Sequence, residues 1–221
     1  MQHPGKPEAL PSPSNSRLDR RRLALVVGIS LLLCAPAVVL LLKTALQRPS
    51  PFQLIDITGA EYARSFSLPD QNGVVRTLED FRGEVAVVFF GFTQCPDVCP
   101  TTMTEIAEAK KMMGAQGKRL RAVFVTLDPE RDTPQVLKAY LANFDPDAIG
   151  LRPSPQQLPS VTSEFKIYAK KNPGTTPASY TLDHTAASYV YDPQGRLRLY
   201  ARYGTGAAAL AADAQRLLGG A

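Results

Sequence analysis

The chain has 221 residues, 44% of them hydrophobic and 20% charged, which suits one globular domain with an appendage rather than a disordered chain. Its formal charge of +5 is unevenly spread: residues 1–43 hold six Lys/Arg against Glu8 and Asp19, which leaves 19 basic and 18 acidic residues for the rest. A nucleic-acid binder carries its charge on the folded domain, so the near-neutral remainder argues against that class and no nucleic-acid partner is expected.

Residues 1–22 are rich in Pro, Ser and Arg and are expected to form a disordered basic tail. Residues 23–42, LALVVGISLLLCAPAVVLLL, are an uncharged run of the length a helix needs to cross a bilayer. Arg17, Arg20, Arg21 and Arg22 precede the run, and Lys43 and Arg48 follow at lower density. The positive-inside rule then places the tail in the cytoplasm and the bulk of the chain in the periplasm or an equivalent compartment. The alternative is a cleaved signal peptide, whose apolar region is about 7–15 residues long and ends at a small-x-small site. This run is longer and still reads VVLLL at its end, which favours a retained, single-pass anchor with Cys34 as one of its apolar residues. Residues 43–54, with Arg48-Pro-Ser-Pro51, read as a short stiff linker.

From residue 55 to 221 the pattern alternates in type. Residues 65–68 and 74–77 flank Asp70-Gln-Asn-Gly73 and predict a hairpin. Residues 84–92, EVAVVFFGF, predict a buried strand, and 100–115 a helix with proline in its first turn. Residues 121–126 predict a strand, 133–143 a helix opened by Thr133 and Pro134, and 156–165 a shorter helix. Residues 170–183 read as a polar loop, 187–191 and 196–202 as strands around Asp192-Pro-Gln-Gly195, and 207–218 as a closing helix. Strands alternating with helices predict an α/β domain with a central sheet covered on both faces. Ligand sites in such folds lie in the loops that leave strand ends for helices, which is where residues 93–99 fall.

That loop carries Gln94-Cys95-Pro-Asp97-Val-Cys99-Pro100. A helix N-terminus favours anions, so it stabilises thiolates, which are both nucleophiles and metal ligands. Four helical steps rise about 6 Å, near the upper end of workable Cα separations for a disulfide. The pair is therefore able to close as a disulfide or to grip an ion. Soft thiolates select Cu(I), zinc or iron–sulfur clusters, and two cysteines are too few for an ordinary four-thiolate cluster. His184, the one histidine beyond the tail, offers a third ligand and precedes a strand. Two thiolates and an imidazole form a trigonal set suited to copper, whereas structural zinc usually takes four ligands. Asp97 or Asp183 could be a fourth, so zinc stays open, as does a plain structural disulfide. Met103, Met112 and Met113 read as core at helical spacing rather than as ligands. The acidic run Asp128-Pro-Glu-Arg-Asp132 precedes a helix, and Asp132 or Thr133 is its expected cap.

Three segments together, Phe90-Gly-Phe-Thr-Gln-Cys-Pro-Asp-Val-Cys-Pro100, Asp128-Pro-Glu-Arg-Asp-Thr133 and Asp183-His184, resemble the Sco/SenC family of copper proteins over residues 55–220. The resemblance implies a three-layer, thioredoxin-like fold with a central mixed sheet and an N-terminal hairpin. It implies copper, as Cu(I) or Cu(II), held by Cys95, Cys99 and His184, with Asp97 and Asp183 tuning the charge around it. It also implies a metallochaperone role in building the binuclear copper centre of cytochrome c oxidase subunit II, with subunit II and other copper chaperones as partners. Two other functions are weighed against it: a thiol–disulfide oxidoreductase that keeps partner cysteines reduced, and a copper or redox sensor. Thioredoxins place a proline facing their cysteines, and no proline immediately precedes the last strand pair here, which argues against general reductase activity.

Overall fold

The computed structural model describes Arg22, Leu25, Val26, residues 51–176 and residues 179–220. The expected anchor at 23–42 and the tail before it lie almost entirely outside these residues, and no helix among the described residues is long and apolar enough to cross a membrane. The chain divides into Met1–Pro49 and Ser50–Ala221. The second unit therefore begins inside the stretch expected to be linker, because Phe52 and Leu54 are buried. Their backbone is tied to the far end of the chain: Gln53 and Leu54 each donate an N–H to one oxygen of the buried Asp213, at 2.8 and 2.7 Å.

The ten strands described are β1 (Ile55–Asp56), β2 (Leu68–Pro69), β3 (Val75–Arg76), β4 (Val85–Gly91), β5 (Leu120–Thr126), β6 (Ile149–Leu151), β7 (Ala169–Asn172), β8 (Thr181–His184), β9 (Ala187–Tyr191) and β10 (Leu197–Arg202). The helices are α1 (Val98–Met112), α2 (Pro134–Ala142), α3 (Leu158–Glu164) and α4 (Ala207–Leu218), with 3-10 turns at Leu78–Phe81 and Gly114–Arg119. Six strands form the central sheet in the order β1-β10-β9-β4-β5-β6. β4, β5 and β6 run parallel, while β9 and β10 add antiparallel pairs, so the sheet is mixed.

β4 shows why the sheet sits at the centre. All seven of its residues are buried, so its sequence is a continuous apolar run rather than an alternating one. The pleat sends Val85, Val87 and Phe89 to one face, where they meet Met103 and Ile106 of α1, Leu137 of α2 and Leu210 of α4. It sends Ala86, Val88 and Phe90 to the other, against Phe66, Phe81, Phe165 and Tyr189.

The β2–β3 hairpin is held by Asp70, whose buried carboxylate accepts from the N–H groups of Asn72 and Val74 and from Arg76 Nε at 2.9 Å. Burial pushes this carboxyl up, but those three donors outweigh it and hold it below its ordinary value.

The loop expected over 170–183 is instead largely ordered as a second hairpin. β7 and β8 pair in the register Ala169↔His184 to Asn172↔Thr181, in a two-stranded sheet of their own. The polar composition that reads as a loop reflects exposure: three of the four β7 residues are exposed, so no apolar alternation marks the strand.

Candidate metal centre

The parallel strands β4 and β5 end side by side, with Gly91 opposite Thr126. The chain leaving β4 runs through residues 92–97 into α1, whose first turn contains Cys99. The turn is closed by the Cys95 N–H donating to the Phe92 carbonyl at 3.2 Å. This places Cys95 at the rim, half-buried, and Cys99 wholly buried beneath it. Gly91 makes room for the buried sulphur: a Cβ there would lie 2.7 Å from Cys99 Sγ and 3.0 Å from the Phe89 ring. The pattern FFGF therefore carries a steric requirement that is independent of turn conformation.

His184 reaches the same point from the end of β8. Its ring stands edge-on to Phe89 and Phe92, with centroids 6.1 and 5.9 Å away. Nδ1 is 3.0 Å from the Thr185 carbonyl, and since a carbonyl only accepts, Nδ1 carries the proton. Nε2 faces the thiols, 3.5 Å from Cys99 Sγ, and in the neutral ring presents its lone pair to them. The sulphurs of Cys95 and Cys99 and a nitrogen of His184 all lie within 4.8 Å of one another, close enough for one ion to bond all three after small side-chain shifts.

The two thiols are unequal. A hydrogen bond from Cys99 is the largest influence on Cys95, and with the backbone N–H groups of Asp97 and Cys99 it outweighs burial and pulls the Cys95 thiol down to about 4. The same bond, reinforced by burial, pushes the Cys99 thiol well up.

Neither Asp97 nor Asp183 is among the groups whose donor atoms converge. Asp97 is exposed at the start of α1, 3.4 Å from Thr101 Oγ1. Asp183 is exposed and alternates with His184 along β8, so it points to the opposite face of that strand. Met103 and Met113 are buried as expected of core residues, whereas Met112, the last residue of α1, is exposed.

The acidic run does more than cap. Thr133 is the cap of α2, accepting from the Val136 N–H, and Asp132 turns inward instead. The Asp132 carboxylate accepts from Thr93 N–H at 3.1 Å, Thr93 Oγ1 at 2.6 Å and Thr126 Oγ1 at 2.5 Å, tying the cysteine loop to the end of β5. Arg131 spans the two sides of the site. It donates to Gln94 Oε1 at 3.0 Å on the cysteine loop and to the Tyr180 carbonyl at 2.9 Å just before β8, and it is ion-paired with Asp128. Tyr180 is gripped in turn: its hydroxyl donates to Asp128 Oδ1 at 2.6 Å, and Arg131 and Lys171 each sit 3.6 Å from its ring centroid. Tyr180 and Thr93 escape sequence reasoning, since nothing in their local pattern shows that Asp128 and Asp132 face them.

The match to known proteins now has a geometry to rest on. The family model described as SCO1/SenC matches residues 55–219. The chain belongs to the SCO1/SenC family. A SCO2-like protein of Rickettsia felis is 36% identical over 183 residues, covering 81% of this chain and 89% of that one. Among solved structures, Bradyrhizobium japonicum ScoI with copper bound is 40% identical, covers 69% of this chain and 97% of that one, and superposes with a TM-score of 0.64. The apo Sco1 protein of Thermus thermophilus is 32% identical, covers 75% and 96%, and gives a TM-score of 0.67. The thioredoxin-like α/β architecture of SCO1/SenC proteins is thus the architecture of this chain.

Proposed function

We propose that this SCO1/SenC protein is a copper metallochaperone that holds one copper ion between Cys95, Cys99 and His184 and passes it to the binuclear site of cytochrome c oxidase subunit II. The observation that carries the binding half is the convergence of two sulphurs and an imidazole nitrogen within 4.8 Å. Two thiolates and an imidazole are a donor set for copper, and a relative 40% identical was solved with copper bound. The half-buried Cys95 offers an incoming thiol a first bond to displace, so copper moves to the acceptor by stepwise thiolate exchange and is never free. Another copper chaperone loads the site by the reverse exchange. No chemical bond of a substrate is made or broken, so the protein acts as a carrier rather than an enzyme.

One observation favours a second reading. An accessible, low-pKa thiol above a buried, high-pKa one is also the arrangement of an attacking and a resolving cysteine in thiol–disulfide exchange. The histidine separates the two. Exchange depends on thiolate population and access, whereas a trigonal copper site loses a third of its ligands without the imidazole. The His184→Ala variant of the reduced full-length protein is expected to bind copper at least tenfold more weakly than wild type while its Cys95–Cys99 disulfide still forms. In cells at limiting copper, it is expected to lose oxidase assembly. Normal assembly at normal protein level would instead assign the protein to disulfide reduction.

Residues 23–42 anchor the protein in this proposal, with residues 1–22 cytoplasmic and the copper domain in the periplasm or its equivalent. A reporter that requires oxidising conditions, fused after Ala221, is expected to be active, and a fusion active only in the cytoplasm refutes the topology.

A further inference from the structure

The hydroxyl of Tyr140 is buried and has no hydrogen-bond partner among the described residues. Such an atom is unusual, because an unpaired buried hydroxyl carries its full desolvation cost. Tyr140 stands on α2, a helix that contributes no copper ligand, yet its ring packs into the metal centre's own surroundings. It lies 5.6 Å from the Phe124 ring and 5.1 Å from Phe144, centroid to centroid. Phe124 and Cys99 Sγ crowd the same point above Gly91, at 3.1 and 2.7 Å. Tyr140, Cys95 and Val98 all pack against the cluster that contains Cys99. Burial holds the phenol up, and after burial the largest influences on it are the charges of Cys99 and then Cys95.

We propose that the Tyr140 hydroxyl is a hydrogen-bond donor held for the copper-loaded state, in which it pairs with a thiolate of the Cys95–Cys99 pair. In the metal-free protein the Cys99 sulphur is a thiol and a weak acceptor, and the Cys95 thiolate is already engaged by the hydrogen bond from Cys99. Copper binding displaces the Cys99 proton, which frees the Cys95 thiolate from that hydrogen bond and leaves both sulphurs anionic. The buried phenol is then a donor with no competing partner among the described residues, and a hydrogen bond to a thiolate both steadies the sulphur and withdraws electron density from it. Tyr140 is accordingly a positioning residue that favours copper retention and tunes the metal through sulphur, as hydrogen bonding around a ligating cysteine does in other copper sites.

The inference rests on the copper site proposed above, and the test separates the two. Full-length wild type and Tyr140→Phe are compared in three measurements: Cu(I) affinity by competition with a chromophoric chelator, the thiolate-to-Cu(II) charge-transfer band, and the melting temperature of the metal-free protein. The expected result for Tyr140→Phe is a roughly ten- to hundredfold loss of Cu(I) affinity, a band shifted to lower energy, and a metal-free melting temperature equal to or above wild type. The last follows because the ring is kept and the deleted hydroxyl had no partner. An affinity within twofold of wild type with an unmoved band overturns the inference and leaves the copper site standing. A lowered metal-free melting temperature also overturns it, since the hydroxyl would then be paired before copper arrives. Wild-type protein that binds no copper overturns both.

Discussion

Cys95 and Cys99 are four residues apart in sequence but sit in different chemical settings. Cys95 is half-buried and receives hydrogen bonds, so its thiolate survives to about pH 4, whereas burial and the bond to Cys95 keep the proton on Cys99. Alkylation reads this difference directly, because only thiolate reacts. An ordinary thiol ionises near pH 8.5 and slows about tenfold for each pH unit below that. Modification of Cys95 in the reduced protein is expected to proceed at a nearly constant rate from pH 8 down to about 5 and to fall off only near 4. Cys99 is expected to stay unmodified until the protein is unfolded. Mapping the labelled peptide by mass spectrometry checks both halves, and equal labelling of the two cysteines would remove the basis for assigning Cys95 the outer role. His184 is oriented by a neighbour: the Thr185 carbonyl accepts a hydrogen bond from Nδ1–H, which leaves Nε2 turned toward the thiols.

Among the elements, the segment from Asp128 to Thr133 joins the cysteine loop to the histidine hairpin. Asp132 holds the loop through Thr93, and Asp128 and Arg131 hold Tyr180, four residues before His184. The site is therefore assembled by a third element that contributes no ligand. Asp132→Ala would leave Thr93 N–H and the hydroxyls of Thr93 and Thr126 without their acceptor, a loss of about 2–3 kcal/mol of stability by the usual cost of orphaned buried donors. The denaturant midpoint measures this, and copper affinity is expected to fall with it because the loop carrying Cys95 loses its tether. Burial is the largest influence on the Asp132 carboxyl and raises its pKa against the threonine hydrogen bonds. A carboxyl raised on folding binds its proton more tightly in the native state. Its contribution to stability is therefore greatest below the ordinary carboxylate range near pH 4 and declines as pH rises through the raised value. Asp132→Asn is expected to flatten that part of the stability–pH profile, and a profile identical to wild type would show that the group is not linked to folding.

At the scale of the whole molecule, the stretch that enters the domain and the helix that closes it meet. Asp213 lies on the buried face of α4 and accepts the N–H groups of Gln53 and Leu54, while Arg216, one turn later, lies 3.6 Å from its second oxygen. This clamp joins residues 160 positions apart. Asp213→Ala is expected to cost about 1–3 kcal/mol, the usual penalty for leaving buried N–H groups unpaired. Asp213→Asn, which keeps one acceptor oxygen, is expected to cost less. Urea midpoints order the three proteins, and an alanine variant as stable as wild type would show that the entering stretch is not held by this residue.

The local pattern was enough for much of this protein. The apolar run 85–91, most of the helix that carries Cys99 in its first turn, the helix opened by Thr133 and Pro134, and the closing helix 207–218 follow from periodicity, caps and proline, which act over a few residues. The ligand types were legible too, since Cys-x3-Cys after a buried strand and a lone histidine before another leave few alternatives in a domain with no further cysteine. The β7–β8 hairpin was not legible, because its strands are exposed and polar and are held by pairing and by the grip on Tyr180 rather than by an apolar stripe. Nor was the inward turn of Asp132, whose acid type and position before a helix fit a cap equally well until Thr93 and Thr126 are brought beside it. Even the asymmetry of the two thiols needed the fold, because burial and hydrogen bonding depend on what packs around each sulphur. Sequence determined which donors this protein carries and on which elements; only the tertiary structure decided that two thiols and an imidazole 85 residues away meet within bonding range, because that meeting depends on long-range pairing and packing that no local pattern encodes.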